Sequence, residues 1–453
     1  MNDEDEFRDA ADEVYRELLT RMGEASPQPR LAATRRAVEL LGDPQRAYPI
    51  IHITGTNGKT TTSRIADSIL RAYGLKTGLL TSPHLVRFNE RIRIEGEPIS
   101  DEALVRNWED IAPYLAMTDA ELEAAGELPL TFFEALTVLA FAAFADAPVD
   151  VVVLEVGMGG EWDSTNVADG QVAVFTPIAL DHVGRLGNTI AEIARTKSGI
   201  IKPAASVVSA HQVPEAAAEL ARAAELTESQ LAVEGSQFEV TDARVAVGGQ
   251  LISVKGIAGR YDDLFLPLFG AHQAQNAAVA IAAVEAFLGG GEQPLTEELL
   301  TEGLATVISP GRLHLIGIEP SVLVDAAHNP HGAQALVSAV TSAFDFDEIA
   351  IVLGVLSDKD ADGIIAALAP LATRFLATQS GSERAIAADV LADRIREISP
   401  DADVTSFGWV ESALTEAREW ASAAPKRAVL VTGSITLVGE AMSLAEEGRW
   451  MQA

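Results

Sequence analysis

The sequence lacks features that define several classes of protein. It contains no cysteine, which excludes disulfides, thiolate metal sites and cysteine nucleophiles. Its longest apolar run, residues 136–145, falls short of the roughly 18 residues that a membrane span requires. The amino terminus is acidic rather than basic and then apolar, so no secretory signal is predicted. We therefore expect a cytoplasmic protein without a membrane partner.

Basic residues are scarce, because 33 lysines and arginines face 66 acids and the formal net charge is −33. Such a charge repels nucleic acids, so we expect no nucleic-acid partner. It also repels small anionic substrates, and a protein that uses them must concentrate its bases at the site. Local groups of bases are present, although a single one is more often a solvated surface charge. They are Lys59, Arg87, Arg91, Arg93, Lys197, Lys202, Arg312 and Lys359.

The length and the order of the predicted elements indicate two domains of α/β class. At 453 residues the chain exceeds one compact core of the usual size. Apolar strands such as 151–154 alternate with helical patterns, which is typical of a parallel sheet covered on both faces. A helix is predicted over 100–115, and short alternating strands over 238–268 predict a small antiparallel hairpin insertion. A second α/β series begins after 309–312, so we predict an N-terminal domain over 1–308 and a Rossmann-like domain over 309–453.

The segment IIHITGTNGKTTT, residues 50–62, joins an apolar strand to a glycine-turned loop and a helix predicted over 60–73. Backbone N–H groups, the positive end of the helix dipole and a lysine charge together suit a nucleotide phosphate. The usual P-loop spelling needs glycine at position 53, where this chain has Ile53. The alternative is a tight strand-to-helix turn without a ligand. The predicted nucleotide-binding residues are Gly55, Thr56, Asn57, Gly58, Lys59, Thr60 and Thr61, and they make the N-terminal domain P-loop ATPase-like.

Polar residues follow the other apolar strands, where ligands of parallel sheets bind. In the first domain these are Ser82, Pro83 and His84, then Glu155, then His182. An acid that ends an apolar strand needs a partner, and we predict magnesium for Glu155, with a structural ion pair to an arginine as the alternative. A lone histidine such as His182 is more often a satisfied loop residue.

The second domain repeats this arrangement without a P-loop. Asp325 and His328 follow one strand, Lys359 lies beyond another, and Ser434 follows the last. Two sets of such residues, one with a P-loop and one without, favour a reaction between two bound molecules in an interdomain cleft.

Together and in order, these motifs resemble the folylpolyglutamate synthase and dihydrofolate synthase family, relatives of the Mur ligases. The matching segments include IHITGTNGKTTT, TSPHLVRFNERIRI, LTFFEALTVLAF, LEVGMGGEWDSTNV, SPGRLHLI, VDAAHNPHGA and TGSITLVGE. The resemblance implies ATP-dependent amide ligation, in which a folate or dihydropteroate carboxylate forms an acyl phosphate and L-glutamate opens it. It also implies ATP and Mg²⁺, with two ions, as cofactors, and a monomer.

The resemblance assigns roles residue by residue. Thr60 or Thr61, Ser82, Glu155 and His182 resemble the magnesium shell, and Asn276, Arg312 and Asp325 resemble ATP contacts. His328 and Ser434 correspond to residues that position glutamate. Phe133 and Asp163 resemble the pterin site, and Ser82, Pro83, His84 and Arg87 lie in the segment that resembles the folate-binding region. Lys59, His182, Lys197, His328 and Ser434 form the implied catalytic set.

Lys197 matches a lysine that is carbamylated in the family, where the new anion holds the second magnesium. Two positions depart from the family pattern, because Thr196 replaces a glutamate and Glu161 replaces an arginine. Two other functions stay open at this point. One is a Mur-type ligase acting on a UDP-muramoyl precursor, and the other is a nucleotide-dependent switch. The sequence also leaves open whether dihydropteroate, tetrahydrofolates or both are the acceptors.

Overall fold

The computed structural model describes residues 3–23 and 28–451, in which two large sheets are each covered by helices. The first sheet has eight strands, in the order β4-β3-β2-β5-β1-β6-β7-β8. These strands are β1 (Ile50–Thr54), β2 (Thr77–Leu80), β3 (Ile92–Ile94), β4 (Glu97–Pro98), β5 (Val151–Glu155), β6 (Val172–Phe175), β7 (Ser206–Ser209) and β8 (Gln230–Val233). All neighbours pair in parallel except the antiparallel edge pairs β2–β3 and β3–β4.

Helices cover both faces of this sheet because its central strands are apolar on both sides. They are α1 (Asp3–Leu19), α2 (Ala32–Leu40), α3 (Lys59–Ala72), α4 (Asp101–Ala124), α5 (Phe132–Asp146), α6 (Ile190–Ser198), α7 (Pro214–Leu226), α8 (Ala271–Gly289) and α9 (Glu297–Ala305). One core lies against α3, α8 and α9, and another lies against α1, α2, α4 and α5. All five residues of β1 are buried, as expected for a central strand.

A three-stranded antiparallel sheet follows the first large sheet. Its strands are β9 (Glu239–Ala246), β10 (Gly249–Lys255) and β11 (Arg260–Leu266), with β10 in the middle. The position and the antiparallel pairing of the predicted insertion are confirmed, but the prediction of a hairpin is wrong by one strand. Leu264 and Leu266 of β11 are buried in the core beside α8, so the third strand gains its stability from packing that the local pattern does not reveal.

The second large sheet has six strands, in the order β12-β13-β17-β14-β15-β16, with an antiparallel pair at β12–β13. They are β12 (His314–Gly317), β13 (Ser321–Asp325), β14 (Glu348–Leu353), β15 (Arg374–Ala377), β16 (Asp403–Ser406) and β17 (Arg427–Thr432). Its helices are α10 (Pro330–Ala343), α11 (Ala361–Leu368), α12 (Ala388–Ile398), α13 (Val410–Ser422) and α14 (Ile435–Glu446). The predicted α/β class with an N-terminal parallel-sheet domain and a C-terminal α/β domain is confirmed.

Helix α4 extends beyond the predicted range 100–115 to Ala124. Its buried residues continue past Leu115 with Thr118 and Leu122, at helical spacing, so tertiary packing maintains the helix after Pro113. Within residues 3–23 and 28–451, no helix is both long enough and apolar enough to cross a membrane.

Candidate active site

A cleft of about 780 Å³ lies between the two large sheets, at the carboxyl ends of their strands. The first domain contributes residues that follow β1, β2, β5 and β6, and the second contributes residues that follow β13, β14 and β17. The predicted site residues that line it are Thr56, Asn57, Gly58, Lys59, Thr60, Thr61, Ser82, Pro83, His84, Phe133, Glu155, Asp163, His182, Asn276, Arg312, Asp325, His328 and Ser434. The fold therefore brings residues far apart in sequence to one cavity.

Three predicted residues do not line the cleft. Gly55 begins the loop between β1 and α3, and its carbonyl accepts hydrogen bonds from Lys59 Nζ at 3.1 Å and Lys197 Nζ at 2.8 Å. Lys197 is buried behind the same loop. Arg87 forms an ion pair with Asp101, with 2.9 Å between Nη2 and Oδ1.

The loop between β1 and α3 needs glycine at two points. A Cβ on Gly55 would lie 1.9 Å from Thr176 Oγ1, and one on Gly58 would lie 2.4 Å from Asn276 Oδ1. Both glycines also have positive φ, which favours glycine. The loop is fixed to the segment after β6, since Thr56 Oγ1 lies 3.1 Å from Ala179 O and accepts from Ala179 N at 3.0 Å. The first N–H groups of α3 have no intrahelical partner, and such groups beside a lysine are suited to an anion.

Glu155 lies under this loop with one carboxylate oxygen satisfied. Its Oε1 accepts from Thr60 Oγ1 at 2.9 Å, whereas Oε2 is buried without a hydrogen-bond partner. Burial raises the pKa of Glu155, and the charge of Lys59 opposes this shift. A buried carboxylate oxygen without a donor suits a cation, so the residues present fit Mg²⁺.

A magnesium ion in this cleft would depend on oxygens from outside the protein for part of its shell. Among the residues that the structure describes, no three His, Cys, Asp or Glu side chains lie close enough to hold one ion. This arrangement agrees with a Mg²⁺ that keeps several waters and binds substrate phosphates.

His182 lies in a loop with the positive φ of 50° and faces Asp181, with 3.5 Å between Nε2 and Oδ2. Burial lowers the pKa of His182 to about 4, and Lys359, Lys59 and Lys197 add to the shift against the opposing charge of Asp181. Burial raises the pKa of Asp181, but the charges around it outweigh this effect and hold its pKa at about 2. Asp181 is therefore ionised and pairs across the cleft with Lys359 at 3.2 Å.

The second domain contributes three predicted residues. Asp325 ends β13, where its carboxylate accepts from the backbone N–H groups of Leu313 at 2.7 Å and Ala327 at 2.8 Å. Burial and then the charge of Lys359 lower the pKa of His328 to about 4, while its Nδ1 lies 2.9 Å from Ala326 O. Ser434 caps α14, and its Oγ accepts from Leu437 N at 3.2 Å.

The sequence analysis did not single out several side chains in and next to the cleft. Arg30 pairs with Glu134 through Nε and Oε1 at 3.0 Å, and both line the cleft together with Tyr15 of α1. Asn329 exchanges amide hydrogen bonds of 3.3 and 3.0 Å with Asn57, a predicted nucleotide-binding residue. Thr131 and Glu134 form a capping box, whose T-x-x-E spelling is visible in the sequence. No sequence signal points from Arg30 to Glu134.

Two family models match most of the chain. The Mur ligase middle domain matches residues 53–284, and the Mur ligase glutamate ligase domain matches residues 311–435. The chain is 43% identical over 448 residues to the dihydrofolate synthase/folylpolyglutamate synthase of Mycobacterium tuberculosis, with 94% of this chain and 92% of that protein covered. The chain belongs to the dihydrofolate synthase/folylpolyglutamate synthase family.

Solved structures of this family are similar over nearly the whole chain. The Mycobacterium tuberculosis folylpolyglutamate synthase complexed with ADP has a TM-score of 0.92 at 42% identity, covering 97% of this chain and 99% of that one. The E. coli FolC structure in complex with DHPP and ADP has a TM-score of 0.83 at 31% identity, covering 96% and 98%. Membership in the folylpolyglutamate synthase family confirms the predicted ATP-dependent ligase class and does not favour the Mur-type alternative.

Both departures from the family pattern lie outside the cleft lining. Glu161 is exposed, and Thr196 donates its hydroxyl to Leu186 O and Glu192 O, each at 3.3 Å. The segment around Glu161 is nevertheless closely packed, because a Cβ on Gly199 would lie 2.5 Å from Glu161 Cα.

Proposed function

We propose that this protein joins L-glutamate to dihydropteroate, to reduced folates or to both, through an acyl phosphate made from ATP. One observation carries the proposal. The nucleotide loop and Glu155 of the first domain line the same cleft as His328 and Ser434 of the second domain. A ligase needs this arrangement because its acceptor must meet ATP before it meets glutamate.

The first half of the proposed reaction transfers the γ-phosphoryl group to the acceptor carboxylate. Lys59 would neutralise charge that develops on the transferred group, and the start of α3 would hold the phosphates. Thr60 or Thr61, Ser82, Glu155 and His182 would hold Mg²⁺, which when bound would supply positive charge against the phosphates and the incoming carboxylate. Lys197, once carbamylated, would supply an anion for a second ion.

The second half opens the acyl phosphate with the amino group of glutamate. His328 can assist because Ala326 O accepts from its Nδ1, which leaves Nε2 as an acceptor for an amine N–H. The low pKa keeps this imidazole neutral, so it would not repel the amine. Ser434, which lines the same cleft, would add a hydroxyl. Asn276, Arg312 and Asp325, which also line it, would contact the nucleotide.

The acceptor end of the cleft supports a heteroaromatic substrate. Phe133 and Asp163 both adjoin Gly157, where a Cβ would be 2.5 Å from Phe133 Cζ and 3.2 Å from Asp163 Oδ2. An aromatic ring beside a carboxylate suits a pterin, which offers a flat face and N–H donors. The E. coli relative in complex with DHPP and ADP supports the same assignment. We also propose a cytoplasmic monomer.

Phosphate release tests the proposal directly. The protein is incubated with ATP, Mg²⁺ and L-glutamate, with dihydropteroate or tetrahydrofolate added separately. We expect phosphate release that requires both glutamate and one of the acceptors, and a product whose mass has increased by one glutamyl residue. Release without glutamate would indicate a nucleotide switch instead, and no release with either acceptor would refute the ligase proposal. The ratio of the two rates identifies the preferred acceptor.

A further inference from the structure

A buried chain of hydrogen bonds runs behind the acceptor end of the cleft. Asp163 Oδ1 accepts from Thr165 Oγ1 at 2.5 Å, and Thr165 Oγ1 lies 2.9 Å from His52 Nε2. Asp163 is 4% exposed, and Thr165 and His52 are fully buried. His52 belongs to β1, directly before the nucleotide loop, so this chain connects the central strand to a carboxylate in the cleft wall.

The direction of each proton in this chain follows from the donors available. Burial raises the pKa of Asp163, and the hydrogen bonds from Thr165 and Met158 and the charge of Lys197 oppose this rise. In its ionised form the carboxylate can only accept, so the Thr165 hydroxyl donates to Asp163. The same oxygen must then accept from His52, which places the imidazole proton on Nε2. The other ring nitrogen, Nδ1, is buried without a partner. A buried lone pair is tolerated better than a buried N–H, so this tautomer agrees with the packing.

The remaining hydrogen-bonding capacity of Asp163 can be counted. Its Oδ1 accepts from Thr165 N at 3.0 Å as well as from the hydroxyl, and Oδ2 accepts from Met158 N at 2.8 Å. A carboxylate has about four acceptor positions, so one is left, on Oδ2. This is the oxygen that lies beside Gly157 and Phe133. The free position therefore adjoins an aromatic ring.

We propose that His52 and Thr165 are positioning residues that fix the Asp163 carboxylate so that Oδ2 accepts one N–H of the acceptor's ring system. Because Oδ1 is already saturated, Asp163 cannot clamp two neighbouring N–H groups with both oxygens. This inference rests on the proposed function, since it assigns the ring to the acceptor. It adds two residues, outside the cleft lining, that control recognition of the acceptor without touching it.

The matched substitutions Thr165→Val and Thr165→Ser test the role of the hydroxyl. Valine preserves the shape and removes the donor, and serine keeps the donor. We expect Thr165→Val to raise KM for the acceptor roughly ten-fold, as for the loss of a hydrogen bond to a charged group, while KM for ATP and kcat stay within about two-fold. Thr165→Ser should restore the acceptor KM. The proposal would be overturned if Thr165→Val changed KM for the acceptor and KM for ATP equally, or if it changed neither.

Acceptor binding measured without turnover separates this proposal from the ligase proposal. Trp162 lies in the cleft wall next to Asp163, so quenching of tryptophan fluorescence by dihydropteroate, with a non-hydrolysable ATP analogue present, reports binding. A wild type that binds dihydropteroate without phosphate release refutes the ligase reaction, and the Kd ratio of the Thr165 variants then decides the positioning role alone. If the valine variant does not fold, His52→Leu takes its place. We expect this variant to bind dihydropteroate roughly two- to five-fold more weakly than the wild type. Unchanged acceptor binding in a folded His52→Leu protein would refute the role of His52.

Discussion

Lys197 lies behind the nucleotide loop, in a place where a charged ammonium is unfavourable. Burial lowers its pKa to about 7, and the nearby charge of Lys59 acts in the same direction. The neutral amine predominates above pH 7, and only the neutral form reacts with CO₂. The pKa shift therefore supports carbamylation, although the amine donates to Gly55 O in this structure.

We predict that the carbamate forms at alkaline but not at acidic pH. Crystals grown at pH 8 with bicarbonate should show density that extends beyond Lys197 Nζ as a planar group. Crystals at pH 6, where most of the amine is protonated, should show a bare ammonium. Density that ends at Nζ at pH 8 would contradict the prediction.

Glu155 is the residue whose substitution tests the magnesium site most directly. Glu155→Gln keeps the size and can still accept from Thr60, but it removes the charge from the buried Oε2. We expect kcat to fall by roughly 10²- to 10³-fold, as for the loss of an electrostatic contact to a reacting group, and the Mg²⁺ concentration for half-maximal rate to rise. Phosphate release at varied Mg²⁺ measures both. Glu225→Gln makes the same change at an exposed position and should leave both values unchanged.

Individual residues differ in how far the sequence could predict them. Glu155 was predictable because an acid that directly follows four apolar strand residues needs a partner. Lys197 was predicted only through the family resemblance, and its contact with the carbonyl of Gly55 depends on tertiary packing. The resemblance also suggested Arg87 as a substrate contact, which stays a prediction, and no spacing rule indicates the ion pair that Arg87 forms with Asp101.

At the scale of elements, β1 carries an imidazole inside an otherwise apolar strand. Burial lowers the pKa of His52 to about 3, with a smaller contribution from Lys202. The unfolded chain binds a proton at this residue below about pH 6.5, whereas the folded chain stays neutral until about pH 3. Since the unfolded state binds more protons in this window, the free energy of unfolding decreases as the pH falls.

We predict that His52 lowers the free energy of unfolding by about 1.4 kcal/mol for each pH unit by which the pH falls between pH 6.5 and pH 3. Urea unfolding of the N-terminal transition at pH 7 and pH 5.5 measures it. His52→Leu should remove this part of the pH dependence and leave the part that His182 and His272 contribute, since their pKa values are also lowered to about 4. If the variant and the wild type had the same pH dependence of stability, the pKa of His52 would not be lowered in the folded protein.

Central strands were predicted closely, and edge elements were not. Strands β1 and β5 coincide with the apolar runs noted in the sequence, because a short apolar run bounded by turn residues has few alternative structures. Strands β3 and β4 were missed, since they are short and pair only along one edge of the sheet. The predicted range for α4 was too short because the last turns of this helix depend on packing against the rest of the domain.

At the scale of the whole molecule, side-chain contacts join the two domains at the cleft. Asp181 pairs with Lys359, the amides of Asn57 and Asn329 bond to each other, and Thr61 Oγ1 lies 3.1 Å from Ser309 Oγ. These contacts involve both the nucleotide loop and the segments that follow strands of the second domain. The sequence could indicate two domains but not these contacts, since each joins residues more than 170 positions apart.

A double-mutant cycle measures how much the Asp181–Lys359 pair contributes to catalysis. We expect Asp181→Asn and Lys359→Met each to lower kcat/KM for glutamate roughly ten-fold, and the double variant to lose little more than either alone. The corresponding coupling energy is about 0.5–3 kcal/mol, in the range for residues in contact. Strictly additive losses would show that the pair does not act as a unit. Lys426→Met, which breaks an exposed pair with Asp345, serves as the control for loss of a lysine.

The contacts between the domains differ in their sensitivity to ionic strength only slightly. The Asp181–Lys359 attraction is electrostatic, but both side chains are largely buried, so added salt screens it weakly. The Asn57–Asn329 and Thr61–Ser309 contacts join neutral groups, which salt does not screen. Added salt alone would therefore leave the two walls of the cleft joined, and an effect of salt on the rate would arise from binding of the charged substrates.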